Sequence, residues 1–407
     1  MKEPKSNPIL SIIIPTKNRS HYVFSCVKNL LNIKSNEIEI IVQDNSDDNL
    51  TSDLIKSLKY DFRLIYNHIR GDLKMVNNFS IGFELSKGEY VTFIGDDDAV
   101  TSELIDAVLW AKNKNLEALV SSSIPKYYWP DIKHKLYGNS FSSSTMIKSF
   151  TNEIVYPDPI EELNNCASIS GMNLCKLPKA YHGVVKRNLF SIIKKKTGTY
   201  FPGPTPDMSS AVALATIIKK YIYLDYPLYI SGTGKTSGGG AGTEKKHDWK
   251  LNKIPWLSKK TIDLWSDLMP YYASGTTLWA EGFIQAITSM NFKIKNKFNY
   301  SYLYGRCLAN DKNYKQEVFI VLKKYQMNSF IKYLSIFYYF IHHYREKFAA
   351  VFNNLITLSK KTVKDKSNLS SIFLKIDNSS KNIEEATQSL DVFLKKNNCS
   401  IKKVLNN

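Results

Sequence analysis

Strand-like and helix-like segments alternate strictly over the first 120 residues, and few folds accept that order. LSIII (Leu10–Ile14), IEIIVQ (Ile38–Gln43), FRLIY (Phe62–Tyr66), EYVTFIG (Glu89–Gly95) and EALVS (Glu117–Ser121) are short runs rich in β-branched and aromatic residues, the signature of strands. SHYVFSCVKNLLN and TSELIDAVLWAKNKN lie between them with helical spacing, the second with Thr101 or Ser102 as its cap. The alternation predicts an α/β fold built on a mainly parallel, doubly wound sheet. Ligands in such a sheet bind outside the carboxyl ends of the strands. The segments at those ends are PTKNR (Pro15–Arg19), DNSDD (Asp44–Asp48) and DDDAV (Asp96–Val100).

Asp96, Asp97 and Asp98 are the sharpest of these. Two carboxylates about 4 Å apart repel by roughly 4 kcal/mol at an effective dielectric of 20. Three in one turn need either full solvation or a cation. A hard ion such as Mg²⁺ or Mn²⁺ suits them, held by one or two carboxylates and completed by substrate phosphates. The plain alternative is a solvated acidic turn ahead of the next helix.

SIIIPTKNR, EIIVQDNSDDN and MVNNFSIGFELSKGEYVTFIGDDD, in that order, resemble the nucleotide-sugar-binding half of the family 2 inverting glycosyltransferases, which have the GT-A fold. The resemblance covers roughly the first 120 residues. It implies that the loop of Pro15, Thr16, Asn18 and Arg19, together with Asp44, holds the nucleoside, and that Met75 and Asn78 contribute. It implies ribose contact for Asp96 and Asp97, and a metal held by Asp98 with Asp96. Such a transfer needs a Lewis acid for the diphosphate leaving group and a base for the acceptor hydroxyl. The resemblance puts that base in an acidic motif ahead of a helix in the second half of the domain. The match here is Asp207 in FPGPTPDMSSAVALA, where the family more often has a Glu-Asp pair. Asp207 reads equally as an N-cap, whose helix would lower its pKa and weaken it as a base. His182 is an acceptor-side candidate or a structural hydrogen-bonding residue.

ISGTGKTSGGGAGTEKK (Ile230–Lys246) imitates a phosphate-binding P-loop without being one. The pattern G-x-x-x-x-G-K-[ST] requires glycine where Tyr229 stands, and three successive glycines will not open the following helix. The stretch is expected to be a lid over the donor diphosphate, with Gly238–Gly240 as hinge and Lys235 or His247 near the phosphates. The plain alternative is a solvated lysine for Lys235 and a structural hydrogen-bonding residue for His247.

The 407 residues suggest a catalytic domain over 1–250, in halves 1–121 and 122–250, and a helical C-terminal region over 251–407. With no run of eighteen apolar residues and no signal-peptide pattern at the start, a cytoplasmic protein is expected. Of the net charge of +18, half lies between Val321 and Asn407. FIKYLSIFYYFIHHYREKFAAVFNNL (Phe330–Leu355) is aromatic and basic, suited either to peripheral contact with an anionic membrane or to packing on the catalytic domain. The expected function is transfer from a nucleotide sugar, a UDP-sugar, to a glycan or lipid-linked acceptor in bacterial O-antigen or capsule synthesis. A non-catalytic basic protein binding nucleic acid or membrane is the alternative, but acidic strand ends oppose nucleic acid at that edge. A sugar nucleotidyltransferase would want a glycine-rich loop after the first strand, which PTKNR lacks.

Overall fold

The computed structural model describes residues 8–133, 138–237, 249–324, 330–359 and 373–406. The five expected strands are present as β1 (Leu10–Thr16), β2 (Ile38–Asp44), β3 (Leu64–His68), β4 (Tyr90–Phe93) and, after the short β5 (Ala99–Val100), β6 (Ala118–Ser121). Helices α1 (Ser20–Leu31), α2 (Leu50–Lys56), α3 (Met75–Leu85) and α4 (Leu104–Asn113) separate them. β2 is buried throughout, and β1 everywhere but Pro15, as continuous apolar strands covered on both faces must be. β1 pairs parallel with β2 and β4 in a register that sets Thr16 beside Asp44. The strand-end loops therefore share one edge.

The Ser-, Tyr- and Pro-rich stretch from Ser122 to Lys176 contributes β7 (Lys126–Tyr128), β8 (Ser144–Ile147), β9 (Ile154–Val155) and α5 (Pro159–Ser168). Beyond it follow β10 (Gly183–Lys186), α6 (Arg187–Thr197), α7 (Pro206–Ala215), β11 (Tyr221–Leu224) and β12 (Tyr229–Thr233). The main sheet runs β3-β2-β1-β4-β10-β6-β11-β9 and is parallel except at β10 and β9. This is the doubly wound order the GT-A resemblance implies. YIYLDYPLYI is not one strand: it turns at Asp225–Pro227 and passes from the main sheet into a second one. Proline cannot supply a ladder donor, which favours the corner there.

The cap of α4 also differs from expectation. Glu103 occupies the N-cap position without capping, and its carboxylate accepts from Tyr226 and from Ile401 N. Thr101 Oγ1 instead reaches Leu228 O at 3.4 Å.

The C-terminal region is mainly helical but not wholly so. β13 (Trp249–Lys250) and β14 (Tyr272–Ala273) form an antiparallel pair, β15 (Leu374–Asp377) pairs antiparallel with β8, and the second sheet runs β15-β8-β7-β12-β5. Leu390 and Leu394 of the helix Ile383–Lys396, with Ile401 and Val404 beyond it, are buried in the same cluster as Leu10, Ile12 and Tyr22. A second core joins α5 and α7 to the helices Gly275–Ser289 and Tyr300–Asn310. Among the described residues no helix is long and apolar enough to cross a membrane.

The long helix Phe330–Ser359 packs one face on Tyr300–Asn310, burying Ile336 and His343. A Cβ on Gly305 would lie 2.8 Å from Ile336 O, so glycine permits the close approach. Neither ring nitrogen of His343 finds a partner. Burial, then Arg306 and Lys347, push its pKa down to about 4. A histidine held neutral in the folded state contributes stability above its unfolded value near 6.5 that is lost as pH falls towards 4. His343→Leu should flatten that acid loss. It should also gain about 1–3 kcal/mol by removing two unsatisfied buried nitrogens, as read by urea unfolding at pH 7.5 and 5.

Candidate functional site

Asp96, Asp97 and Asp98 follow β4 in a tight turn begun by Gly95, and all three are buried. A Cβ at Gly95 would lie 2.9 Å from both Asp98 Oδ2 and the Tyr181 hydroxyl, so glycine is what lets these groups crowd together. The three carboxylates have different surroundings. Asp96 Oδ2 accepts from Thr16 Oγ1 at 2.6 Å, and its Oδ1 lies 2.6 Å from Arg19 Nη1. Arg19 Nη2 is 3.0 Å from Asp97 Oδ2, which also accepts from Gly234 N at 3.1 Å. Asp98 spends both oxygens on the protein. Oδ2 meets Gly95 N (2.7 Å), His182 Nε2 (2.7 Å) and the Tyr181 hydroxyl (3.1 Å), and Oδ1 accepts from Gly232 N at 2.8 Å.

Burial raises the pKa of Asp96 and pushes Asp97 up to about 7, against the opposing pull of Arg19. Burial opposes ionisation of Asp98 too, but His182 and the backbone donors of Gly95 and Gly232 hold it below the usual carboxylate range. Arg19 is also penalised by burial, yet Asp96 and Asp97 keep its guanidinium charged beyond its ordinary value. One guanidinium cannot balance three buried acids, and the deficit favours an added cation.

Among the described residues no group of three or more His, Cys, Asp or Glu is arranged to hold a metal. Asp96 Oδ1, buried and met only by its ion pair with Arg19, and Asp97 form a two-carboxylate donor set. Those hard oxygens fit Mg²⁺ or Mn²⁺ if substrate phosphates complete the shell. Asp98, expected among the ligands, is occupied by four protein donors instead.

The expected nucleoside residues form one hydrogen-bonded band beside the acidic turn. Asn18, at φ 56°, donates its backbone N–H to Ser46 Oγ (2.8 Å), and its side chain pairs with Asp47. Asp44, fully buried, accepts from Ser46 N (2.8 Å) and the Tyr66 hydroxyl (2.7 Å). Asn78 Nδ2 donates to Thr16 O at 3.2 Å, while its Oδ1 is buried without a partner. Met75 opens α3, half-buried, with its N–H on Trp256 O at 3.2 Å. Pro15 and Arg19 line a cleft of about 290 Å³ with the three aspartates, Phe79 and His182. His182, at φ 54° and hydrogen-bonded through its backbone to Phe93 O, holds Asp98.

Sequence reasoning missed the wall supplied by the second sheet. Trp129 Nε1 donates to Asp97 O at 3.1 Å, and the Tyr22 hydroxyl donates to Asp131. The Tyr22 ring lies under Arg19, with 4.8 Å from guanidinium to ring centroid. A Cβ on Gly232 would fall 1.8 Å from Asp97 O, and one on Gly234 would fall 2.5 Å from the Tyr22 ring. The start of the glycine-rich stretch is therefore packed into the acidic turn. Lys235 is exposed, its backbone N–H on Asp131 Oδ1 at 3.4 Å. The hinge Gly238–Gly240 and His247 lie outside the described residues.

Asp207 is not the cap of its helix. Thr205 holds the N-cap position and Pro206 is the first helical residue, so Asp207 lies within the first turn, accepting Met208 N at 2.8 Å. Nor is its pKa lowered: burial outweighs those hydrogen bonds and the helix terminus, and raises it. Lys179, pushed down to about 8 by burial, is its cationic neighbour. Tyr181 donates to Asp98 and lies within electrostatic reach of Asp207, joining the acidic turn to α7.

The sequence pattern of "Glycosyl transferase family 2" matches residues 11–172, which include β1 to β4 and the acidic turn. The chain is 32% identical over 112 residues to the GalNAc(5)-diNAcBac-PP-undecaprenol beta-1,3-glucosyltransferase of Campylobacter jejuni, spanning 26% of this chain and about a third (35%) of that relative. It is 23% identical over 259 residues to glycosyltransferase GlyG of Streptococcus pneumoniae, spanning 63% of this chain and 80% of that one. Residues 1–349 of S. aureus TarS, solved with UDP-GlcNAc, superpose at a TM-score of 0.43 and 14% identity over 75% of this chain and 73% of that one. Residues 11–172, about two-fifths of the chain, carry the pattern of glycosyl transferase family 2.

Proposed function

We propose that the chain transfers a sugar from a nucleotide-sugar donor, a UDP-sugar, to a hydroxyl of a glycan or lipid-linked acceptor, with inversion, in the synthesis of a bacterial surface polysaccharide of the O-antigen or capsule kind. The observation that carries this is the Arg19–Asp96–Asp97 cluster buried in a cleft at the carboxyl ends of β1 and β4. The name of the Campylobacter relative, which places it on an undecaprenol-linked substrate, supports the acceptor class.

In this reading Asn18, Asp44 and Asn78 hold the nucleoside, and the buried Asn78 Oδ1 supplies an unused acceptor. Arg19 turns from Asp96 and Asp97 to the donor phosphates. Those two aspartates would hold Mg²⁺ or Mn²⁺, which would supply Lewis-acid neutralisation of the diphosphate leaving group. Asp98 keeps the turn in shape through Tyr181, His182 and Gly232. Asp207 takes the proton from the acceptor hydroxyl as oxygen attacks the anomeric carbon opposite the diphosphate. Its raised pKa makes it a stronger base than a solvated aspartate. With a lipid-linked acceptor the protein works at the inner face of the plasma membrane, drawn there by its net charge of +18.

The test is a thermal-shift panel of nucleotides and nucleotide sugars with and without Mn²⁺ or Mg²⁺. A UDP-sugar at about a hundred times its Kd stabilises by roughly 2.7 kcal/mol. The melting temperature should therefore rise by several degrees, in a metal-dependent way that Asp97→Asn abolishes. No nucleotide shift on the wild type would remove the proposal.

A further inference from the structure

The flank of the long helix Phe330–Ser359 beside its contact with Tyr300–Asn310 carries an apolar stripe. Leu334, Phe337, Ile341, Tyr344, Phe348 and Val351 lie along it, each between 37% and 78% exposed, with the Tyr344 hydroxyl at the margin on Ala309 O at 3.4 Å. Their spacing is 3, 4, 3, 4, 3, and the sequence carries the alternation on through Leu355 and Leu358. That is a repeat of 3.5 residues, the one that keeps a seam facing a second helix as the two supercoil. A helix packing on a flat surface has no use for it, because an apolar stripe on a straight helix follows 3.6.

We infer that this seam is a self-association surface, through which two copies of the chain pack their long helices together. The size is right. The seam and its flanking Tyr338 and Phe352 offer about 1,000 Å² of exposed apolar surface per copy, and a specific dimer buries about 1,200–2,000 Å² in total. An open, largely apolar depression of about 630 Å³, bounded by Ile341, Tyr344, Arg345, Phe348, Ala349 and Phe352, receives side chains of the facing helix.

Charge decides against a lipid surface as the occupant. Interfacial helices line their apolar face with Lys and Arg. Arg345, Glu346 and Lys347 are all exposed, but Glu346 is turned to Arg306 and Lys347 Nζ to Asn310 Oδ1 at 2.8 Å, which leaves Arg345 as the charge lining the apolar depression. The same contacts dock the helix on its own subunit, so the seam is presented on a fixed element. This inference stands apart from the transferase reading and needs no donor or acceptor.

Sedimentation velocity on the full chain at micromolar concentration tests it. Wild type should run at twice the chain mass, and Phe337→Glu with Phe348→Glu at the chain mass, with unchanged far-ultraviolet circular dichroism. Wild type at the chain mass overturns the inference, and sedimentation of that monomer with phosphatidylglycerol vesicles would assign the face to lipid. Should the double variant misfold, Ile341→Cys provides a second arm. Mild oxidation should join peptides of two copies through residue 341, and failure to cross-link counts against the dimer.

Discussion

Asp207→Asn is expected to lower turnover by about 10²–10⁴-fold, the usual contribution of a positioned proton acceptor, while the metal-dependent thermal shift with UDP-sugar stays as in wild type. Asparagine keeps the shape and still accepts from Met208 N, so a role confined to satisfying the first turn of α7 would survive the change. The pH profile provides an independent readout. Burial raises the Asp207 pKa, so the acid limb of kcat should lie above the usual aspartate range and disappear in the variant. Turnover within tenfold of wild type would leave Asp207 a structural residue. Lys179→Met should move the same limb further up, since its charge favours the ionised carboxylate.

Gly232→Ala is expected to destabilise the protein by about 3 kcal/mol or more and to abolish the donor-induced shift. The added Cβ would sit 1.8 Å from Asp97 O and 3.0 Å from Trp129 Nε1. β12 must then withdraw from the turn. Overpacking of this kind costs about 1–3 kcal/mol, and the lost hydrogen bond from Gly232 N to the Asp98 carboxylate adds about 1.5–3 kcal/mol. Gly275→Ala is the control: nothing lies within 4 Å of a Cβ there, so its melting temperature should match wild type. A Gly232→Ala protein with wild-type stability and donor binding would show that β12 does not shape the acidic turn.

These two residues also mark how far sequence reasoning reaches. β1, β2, β4, β6 and α1 came within about two residues of their final bounds because each is a local pattern, and the rule on strand ends then located the aspartates. What separates Asp98 from its neighbours is not local. Its oxygens are taken by His182, Tyr181 and Gly232, which lie 83 to 134 positions away. Glycines at alternate positions in a strand signal close backbone approach, and Gly232 and Gly234 carried that signal. The neighbouring Lys235 and Thr236 drew it towards a phosphate loop instead. Asp207 departs from the N-cap reading on two points: Thr205 holds the cap position, and the field of the helix end is weaker than the burial that sequence cannot show.

The return of residues 374–406 to the first core has a consequence for synthesis. β1 and α1 leave the ribosome early, yet Leu390, Leu394 and Ile401, which close the apolar surface behind them, are made last among the described residues. The nascent first half of the sheet must wait with that surface open, exposed to chaperones and to other nascent chains. Its completion is therefore tied to translation of the whole described chain, so a ribosome that stalls before β15 would release a polypeptide carrying every aspartate of the site but unable to seal its own core.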